Sequence, residues 1–181
     1  MGAIICDSST LISLSQTCNI AALGFLTKNT KAEFYITPAV EREIVFNPLN
    51  FTQHAFSAIR LKRQVQEGVL KITSANPRPE FDSLNDLTNR LYTINGRPIK
   101  ILQAGELECL AVYKKMNASG IMVDEKTARL IVESPKVLLE ALKAEYHAKV
   151  EMNEGIVLKL AEAFKGIKVG RSTEVLAVSY E

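Results

Sequence analysis

Cysteine, histidine and net charge are all scarce in this sequence, and each shortage excludes a class of protein. The three cysteines, Cys6, Cys18 and Cys109, stand far apart without a CxxC pair, which argues against a disulfide framework and favours a reducing cytoplasm. The two histidines have no partner His or Cys at zinc-ligand spacing, which argues against a zinc site. A net charge of +2 excludes a polybasic nucleic-acid binder, so any contact with nucleic acid must be local.

Long apolar runs are missing as well. No run approaches the roughly 20 residues that a membrane helix needs, and the N-terminus lacks the pattern of a signal peptide, so we expect no membrane segment. The hydrophobic fraction of 47% and the charged fraction of 23% are those of an ordinary globular protein. The 181 residues suffice for one domain with its own core.

Short apolar segments, each followed by a helical pattern, predict buried parallel strands at Ala3 to Cys6, Phe34 to Thr37, Val69 to Thr73 and Ile121 to Val123. Strands that alternate with helices favour an α/β fold, with helices on both faces of a central parallel sheet of four to five strands. Residues 76 to 100 are predicted to be part helix and part loop.

The C-terminal part carries a different pattern. We expect helices over Lys136 to His147 and Glu154 to Phe164, and an edge strand over Val175 to Val178. The sequence thus predicts a main domain over residues 1–134 and a C-terminal helical extension, residues 135–181, packed on it. Apolar Leu138, Leu139 and Leu142 in this extension favour a homodimer.

Acidic residues cluster where the predicted strands end and the following helices begin: Asp7, Glu41, Glu43, Glu106, Glu108, Asp124 and Glu125. In an open parallel sheet, the binding site lies outside the carboxyl ends of the strands. Carboxylates gathered there repel one another unless a cation intervenes, and Mg²⁺ or Mn²⁺ prefers such hard oxygen ligands. Metal ions held in this way are suited to hydrolysis of a phosphodiester.

Four segments resemble the signature segments of PIN-domain proteins, in the family's order: IICDSSTLISL, ITPAVEREIV, AGELECLAVY and GIMVDEKTAR. The resemblance covers about residues 3 to 134 and implies a three-layer α/β/α fold. It implies a metal-dependent endoribonuclease that acts on RNA, as in the toxins of toxin-antitoxin pairs or in ribosomal-RNA processing factors. A small antitoxin or an RNA-processing protein is then an expected partner.

Carried over residue by residue, the resemblance implies that Asp7, Glu43, Glu106 and Asp124 are the four core acids, which bind Mg²⁺ or Mn²⁺. Glu125 would be an accessory metal ligand or a group that positions water. Glu106 departs from the family pattern, because many members have Asp at that place and the longer arm of Glu changes its reach.

Helix geometry bears on the choice between neighbouring acids. Residues two apart on a helix point about 200° away from each other, so only one of Glu41 and Glu43 faces the site. We favour Glu43, because Glu41 falls nearer the surface side with Arg42. The same geometry favours Glu106 over its neighbour two residues later.

Three further residues are candidates for the site. Ser9 either orients the Asp7 carboxylate or simply starts a helix. Lys126 and Arg129, one helical turn apart, are placed to bind the phosphate of an RNA substrate.

The bland alternative is that Asp7 and Asp124 only cap helices. The chain would then be a catalytically weak or inactive module for RNA binding or assembly. A phosphatase with a covalent aspartate is disfavoured, because Ser9 stands where its second aspartate would be expected.

Overall fold

The computed structural model of the chain describes residues 2–48 and 51–180, and at positions 52 and 53 the backbone alone. The strands within these residues are, in chain order, β1 (Ala3–Cys6), β2 (Glu33–Ile36), β3 (Leu70–Ile72), β4 (Tyr92–Ile94), β5 (Arg97–Pro98), β6 (Gly120–Met122), β7 (Val150–Met152) and β8 (Val169–Gly170). Five of them form a parallel sheet in the order β3-β2-β1-β6-β8. The other three form an antiparallel sheet in the order β5-β4-β7.

Helices flank the parallel sheet. Those within the described residues are α1 (Ser8–Gln16), α2 (Ala21–Thr30), α3 (Pro38–Glu41), α4 (Thr52–Gln66), α5 (Arg78–Asn89), α6 (Ala104–Met116), α7 (Lys126–Glu133), α8 (Pro135–Tyr146), α9 (Glu154–Ala163) and α10 (Ser172–Tyr180). A π-helical turn, Arg42–Phe46, continues α3. The predicted α/β fold, with a central parallel sheet, flanking helices and a helical C-terminal part, is confirmed.

Strand β1 lies in the middle of the sheet. Ile4 pairs with Phe34 of β2 on one side and with Gly120 of β6 on the other. Ile5 is fully buried, as expected of a strand covered on both faces. The backbone N–H of Asp7 donates to the Met122 carbonyl at 2.9 Å, which extends the pairing by one residue. Asp7 therefore stands at the centre of the carboxyl edge of the sheet.

The segment over residues 76 to 100, predicted as part helix and part loop, folds into α5 and a hairpin of β4 and β5. Asn95 and Gly96 form its turn and both have positive φ, 49° and 79°. This is the conformation that an Asn-Gly pair favours in a two-residue hairpin.

The C-terminal residues supply one strand to each sheet, because β8 pairs with β6 and β7 pairs with β4. The expected edge strand over Val175 to Val178 is wrong, since these residues lie in α10. Val175 and Val178 are three residues apart, which places them on the same face of a helix. Their face lines an apolar groove together with Leu26 and Phe34.

The leucines that favoured a homodimer are covered within the chain. Leu138 and Leu142 are buried, and Leu139 packs against the core. This surface expectation is therefore wrong, because the helix turns its apolar face inward. Within the residues described, no single helix is long and apolar enough to cross a membrane; α1 and α2 reach that length only as a pair bent by 111°.

Candidate active site

Asp7 is buried at the end of β1, with 3% of its surface exposed. It caps α1: its Oδ2 accepts hydrogen bonds from the backbone N–H of Ser9 at 3.0 Å and from the Ser9 hydroxyl at 2.6 Å. Its Oδ1 faces the Cys109 thiol at 3.9 Å. A carboxylate held in this way has a fixed orientation at the sheet edge, and only one of its oxygens is committed to the cap.

The Ser9 hydroxyl joins two strand ends. While it donates to Asp7, it accepts hydrogen bonds from the backbone N–H groups of Asp124 at 3.0 Å and Glu125 at 3.3 Å. The backbone that leaves β6 is thereby tied to the carboxylate that ends β1. Ser9 occupies the place expected of a residue that orients the carboxylate.

Glu106 lies in the first turn of α6, where its Oε2 accepts the backbone N–H of Gln103 at 2.7 Å in a capping box. Burial raises the pKa of Glu106 to about 7 against that hydrogen bond, and the charges of Glu125, Asp7 and Glu43 add to the rise. These three carboxylates therefore lie close enough to Glu106 for their charges to act on it. We call Asp7, Glu43, Glu106 and Glu125 the acid cluster.

Glu43 reaches the cluster through a gap that a glycine leaves in α6. A Cβ atom at Gly105 would come within 2.8 Å of the Glu43 Oε1 atom. Gly105 is buried, so the Glu43 carboxylate lies against the backbone at the start of α6. The absence of a side chain at Gly105 is what admits the carboxylate to this position.

Glu125 caps the helix that follows β6. Its Oε2 accepts the backbone N–H of Ala128 at 2.6 Å, which is the hydrogen bond of an N-cap residue. The alternative interpretation of the sequence gave this cap to Asp124, which was predicted in the first place as a metal ligand. Glu125 takes it because it directly precedes Lys126, the first residue of α7, whereas the Asp124 oxygens accept hydrogen bonds from Ser172 and Thr10.

Asp124 is engaged elsewhere. Its Oδ1 accepts from the backbone N–H of Ser172 at 2.7 Å and from the Thr10 hydroxyl at 3.2 Å, and its Oδ2 accepts from the Ser172 hydroxyl at 2.6 Å. Burial raises the pKa of Asp124, but the hydrogen bonds from Ser172, Ser13 and Thr10 together bring it below its ordinary value. Both oxygens of this predicted ligand are committed to α1 and α10.

The donor chemistry of the acid cluster fits a divalent cation. A positive ion at the cluster would offset the charges of Glu125, Asp7 and Glu43 that help to raise the pKa of Glu106, and carboxylate oxygens are the hard ligands that Mg²⁺ and Mn²⁺ prefer. Across the part of the chain that the structure describes, however, no three Asp, Glu, His or Cys side chains are arranged to hold one ion. Glu106 and Glu125 each have one oxygen that accepts a backbone N–H, from Gln103 and from Ala128.

The predicted phosphate-binding residues lie on α7. Lys126 is exposed at its first turn. Arg129 is mostly buried and forms an ion pair with Glu133 at 3.7 Å, and its Nε atom is buried without a hydrogen bond among the described residues. Arg129 therefore has an N–H group available to donate a hydrogen bond, while its charge is paired with Glu133 of the same helix.

Sequence reasoning set Glu108 aside, yet the structure places it close to the cluster. The pKa of Glu108 is raised, chiefly by burial and also by the charge of Glu43. The charge of Arg42 and a hydrogen bond with the Thr37 side chain act in the opposite direction. Thr37 is buried and caps α3 through Val40 at 3.2 Å. Glu106 and Glu108 lie two residues apart on α6, yet the charge of Glu43 contributes to the raised pKa of both.

The fold and the site define an α/β protein with an acidic centre at the carboxyl edge of its sheet. The chain belongs to the PIN-domain family, since the family model described as "DUF3368: PIN domain" matches residues 3–139. PIN domains are generally nucleases and generally use divalent metals. The family resemblance of the four sequence segments is thus confirmed.

A solved structure, a PilT N-terminus domain protein SSO1118 from the hyperthermophilic archaeon Sulfolobus solfataricus P2, is similar at 14% identity. The similarity covers 99% of this chain and 94% of that one, with a TM-score of 0.38. No curated protein matches the chain.

Proposed function

We propose that the protein is a Mg²⁺- or Mn²⁺-dependent endoribonuclease that hydrolyses RNA phosphodiesters at the acid cluster. The observation that carries this proposal is the crowding of carboxylates around Glu106, whose pKa the charges of Glu125, Asp7 and Glu43 help to raise. Such crowding disfavours the ionised state unless a cation is bound, and perturbed acids in a site of this kind are typical of catalytic centres.

Each residue has a part in this proposal. Asp7, held by Ser9, would present its Oδ1 to the ion, and Glu43 and Glu106 would add oxygens from the side of α6. When bound, the ion would neutralise these charges and polarise the scissile phosphate. Because Glu106 is partly protonated near pH 7, binding of the ion would release a proton. Lys126 and Arg129 would bind the phosphate from the side of α7.

Asp124 can bind the ion directly only if its hydrogen bonds change. Its oxygens are committed to Ser172 and Thr10, so a direct role as ligand requires it to exchange one of these bonds for the ion. Without that exchange, it supports the site by holding β6, α1 and α10 together. Glu125, one residue later, contributes its charge to the cluster in either case.

Cleavage of labelled single-stranded and hairpin RNAs in Mg²⁺, Mn²⁺ or EDTA tests the proposal. We expect Asp7→Asn to reduce the rate by at least about 10²-fold, since an ion-held transition state is worth several kcal/mol. Asp86→Asn on α5 is the matched control, because Asp86 forms an exposed ion pair with Arg90. Equal rates for wild type and Asp7→Asn would overturn the proposal.

A second candidate is a catalytically inactive module for RNA binding or assembly. It is favoured by the hydrogen bonds that commit Asp124 and by the lack of a three-ligand arrangement among the described residues. Calorimetric titration with Mn²⁺ separates the two functions. No heat and no rise in melting temperature, together with RNA binding in EDTA, would favour the inactive module.

We further propose a cytoplasmic location, because Cys6, Cys18 and Cys109 are all free. RNA, with a small antitoxin or an RNA-processing protein, is the proposed set of partners. A homodimer remains a proposal without the leucine surface that first motivated it, and sedimentation velocity over a range of concentrations would test it.

A further inference from the structure

A groove lies beside the acid cluster, between the start of α5 and the start of α6. It has a volume of about 280 Å³ and is lined by Asn76, Pro77, Arg78, Phe81, Ala104 and Glu108. We call it the α5 groove. Ala104 directly precedes Gly105, against which the Glu43 carboxylate lies, so the groove adjoins the acid cluster along the first turn of α6.

The outer wall of the groove combines an aromatic ring with a cation. The Phe81 ring is partly exposed, and the Arg78 guanidinium lies 6.0 Å from its centroid. Arg78 also pairs with Asp82 at 3.3 Å, but both side chains are strongly exposed. Such an exposed pair contributes little and exchanges readily with a phosphate, which a guanidinium binds through two parallel hydrogen bonds.

The inner wall offers a hydrogen-bond acceptor. Glu108 lines the groove on the side of α6 and brings a carboxylate to it. An acceptor at this place suits the amino or imino N–H groups on the edge of a nucleobase and disfavours acidic groups of a peptide. Asn76 accepts the backbone N–H of Arg78 at 3.1 Å, which fixes the start of α5 and hence the groove wall.

We propose that the α5 groove binds one unpaired nucleotide of the RNA substrate, next to the phosphodiester at the acid cluster. Arg78 moves from the Phe81 ring to a flanking phosphate, the base stacks on the ring face that Arg78 leaves, and Glu108 accepts a hydrogen bond from the base edge. The volume is close to the lower limit of ligand sites, about 300 Å³, so it takes a single base. This inference rests on the proposed nuclease function and narrows its substrate to RNA with an unpaired base beside the cleavage point.

A stacking measurement tests the groove separately from cleavage. The probe is a single-stranded 12-nucleotide RNA that carries 2-aminopurine, whose fluorescence falls when it stacks on an aromatic ring. Phe81→Leu keeps the apolar bulk and removes the ring, Phe81→Tyr restores it, and Phe56→Leu on α4 is the matched control at an aromatic that is 78% exposed. Melting curves first show that each variant is folded.

We expect Phe81→Leu to lose the fluorescence change and to weaken binding about 5- to 150-fold, whereas Phe81→Tyr and Phe56→Leu bind as wild type does. The same RNA in a duplex should bind weakly to all four proteins. If the wild type cleaves RNA and Phe81→Leu binds as tightly as wild type, base binding in the α5 groove is contradicted and the proposed nuclease function is retained. If the wild type cleaves no RNA but Phe81→Leu weakens binding, the proposed nuclease function is contradicted and base binding in the α5 groove is supported.

Discussion

The Asp124 carboxylate accepts both the backbone N–H and the hydroxyl of Ser172, at 2.7 and 2.6 Å, across 48 residues of chain. Ser172 is the first residue of α10, so a negative charge from the end of β6 stands at the positive end of this helix. The C-terminal helix is therefore fastened to the same sheet edge that carries the acid cluster.

Ser172→Ala removes the hydroxyl bond and leaves the backbone bond in place. We expect a loss of about 1 kcal/mol in the free energy of unfolding, the usual contribution of a partly exposed hydrogen bond. The hydrogen bonds lower the pKa of Asp124, so their stabilisation is complete above the ordinary Asp pKa of about 3.9 and is lost as pH falls through the lowered value. Urea unfolding at pH 7 and pH 3 measures both effects.

Ser179→Ala is the control for that experiment. Ser179 lies on the same helix, but its hydroxyl donates to the Leu176 carbonyl within α10. If the two variants lose the same stability at pH 7, the bond between Asp124 and Ser172 has no special role.

Local sequence patterns predicted the centre of the fold well. The apolar run that ends at Asp7 becomes the middle strand, and the acid that follows it reaches the carboxyl edge because every parallel strand ends there. Such patterns work where burial on both faces demands a continuous apolar segment. Strand β8 has only two residues, Val169 and Gly170, and leaves no such pattern to find.

The partners of each acid were beyond prediction for a different reason. Which carboxylate caps a helix and which remains available depends on side-chain reach and on contacts from distant segments, as between Asp124 and Ser172. Helix geometry favoured Glu43 over Glu41, but nothing in the spacing indicated that Gly105 makes room for the Glu43 carboxylate. Ser9 could be proposed as a partner of Asp7 from proximity alone, whereas its bonds to the backbone after β6 required the fold.

Gly105→Ala should weaken metal binding without lowering the free energy of unfolding. The added Cβ would meet the Glu43 Oε1 atom at 2.8 Å, and the flexible carboxylate would move away from α6. Alanine is favoured over glycine in helices by up to about 1 kcal/mol, so we expect equal or greater stability. We also expect a smaller rise in melting temperature on addition of Mn²⁺ than for wild type.

Gly24→Ala on α2 is the matched substitution, since its Cβ would meet only the Val69 side chain at 3.7 Å. It should gain the helix preference and keep the full response to Mn²⁺. An equal Mn²⁺ response in both variants would show that Glu43 does not act on the ion.

Ser9→Ala should affect the site more than its single hydroxyl suggests. It removes the donor to Asp7 and the acceptor for the backbone N–H groups after β6, which lie partly buried. We expect a loss of about 1 to 3 kcal/mol in the free energy of unfolding, because buried donors lose their partner. Ser9→Thr keeps a hydroxyl and should recover most of this loss in urea unfolding. A Ser9→Ala protein as stable as wild type would show that the hydroxyl does not hold the two strand ends together.

Glu106 gives the metal-free protein a distinctive pH dependence. Its pKa in the folded state, about 7, exceeds the ordinary value of 4.5, so the folded state holds its proton where the unfolded state has released it. Stability is therefore highest below the unfolded pKa and falls as pH rises from about 4.5 to about 7.

Glu106→Gln keeps the acceptor of the capping box and removes the titration. Urea unfolding in EDTA from pH 4.5 to 8 should show a decline in wild type and a flatter profile in Glu106→Gln. Added Mn²⁺ should stabilise wild type more at pH 8 than at pH 5.5, because the ion competes with the proton for the same carboxylate. A wild-type profile that rises over this range, or one identical to that of Glu106→Gln, would contradict the crowding of charge around Glu106.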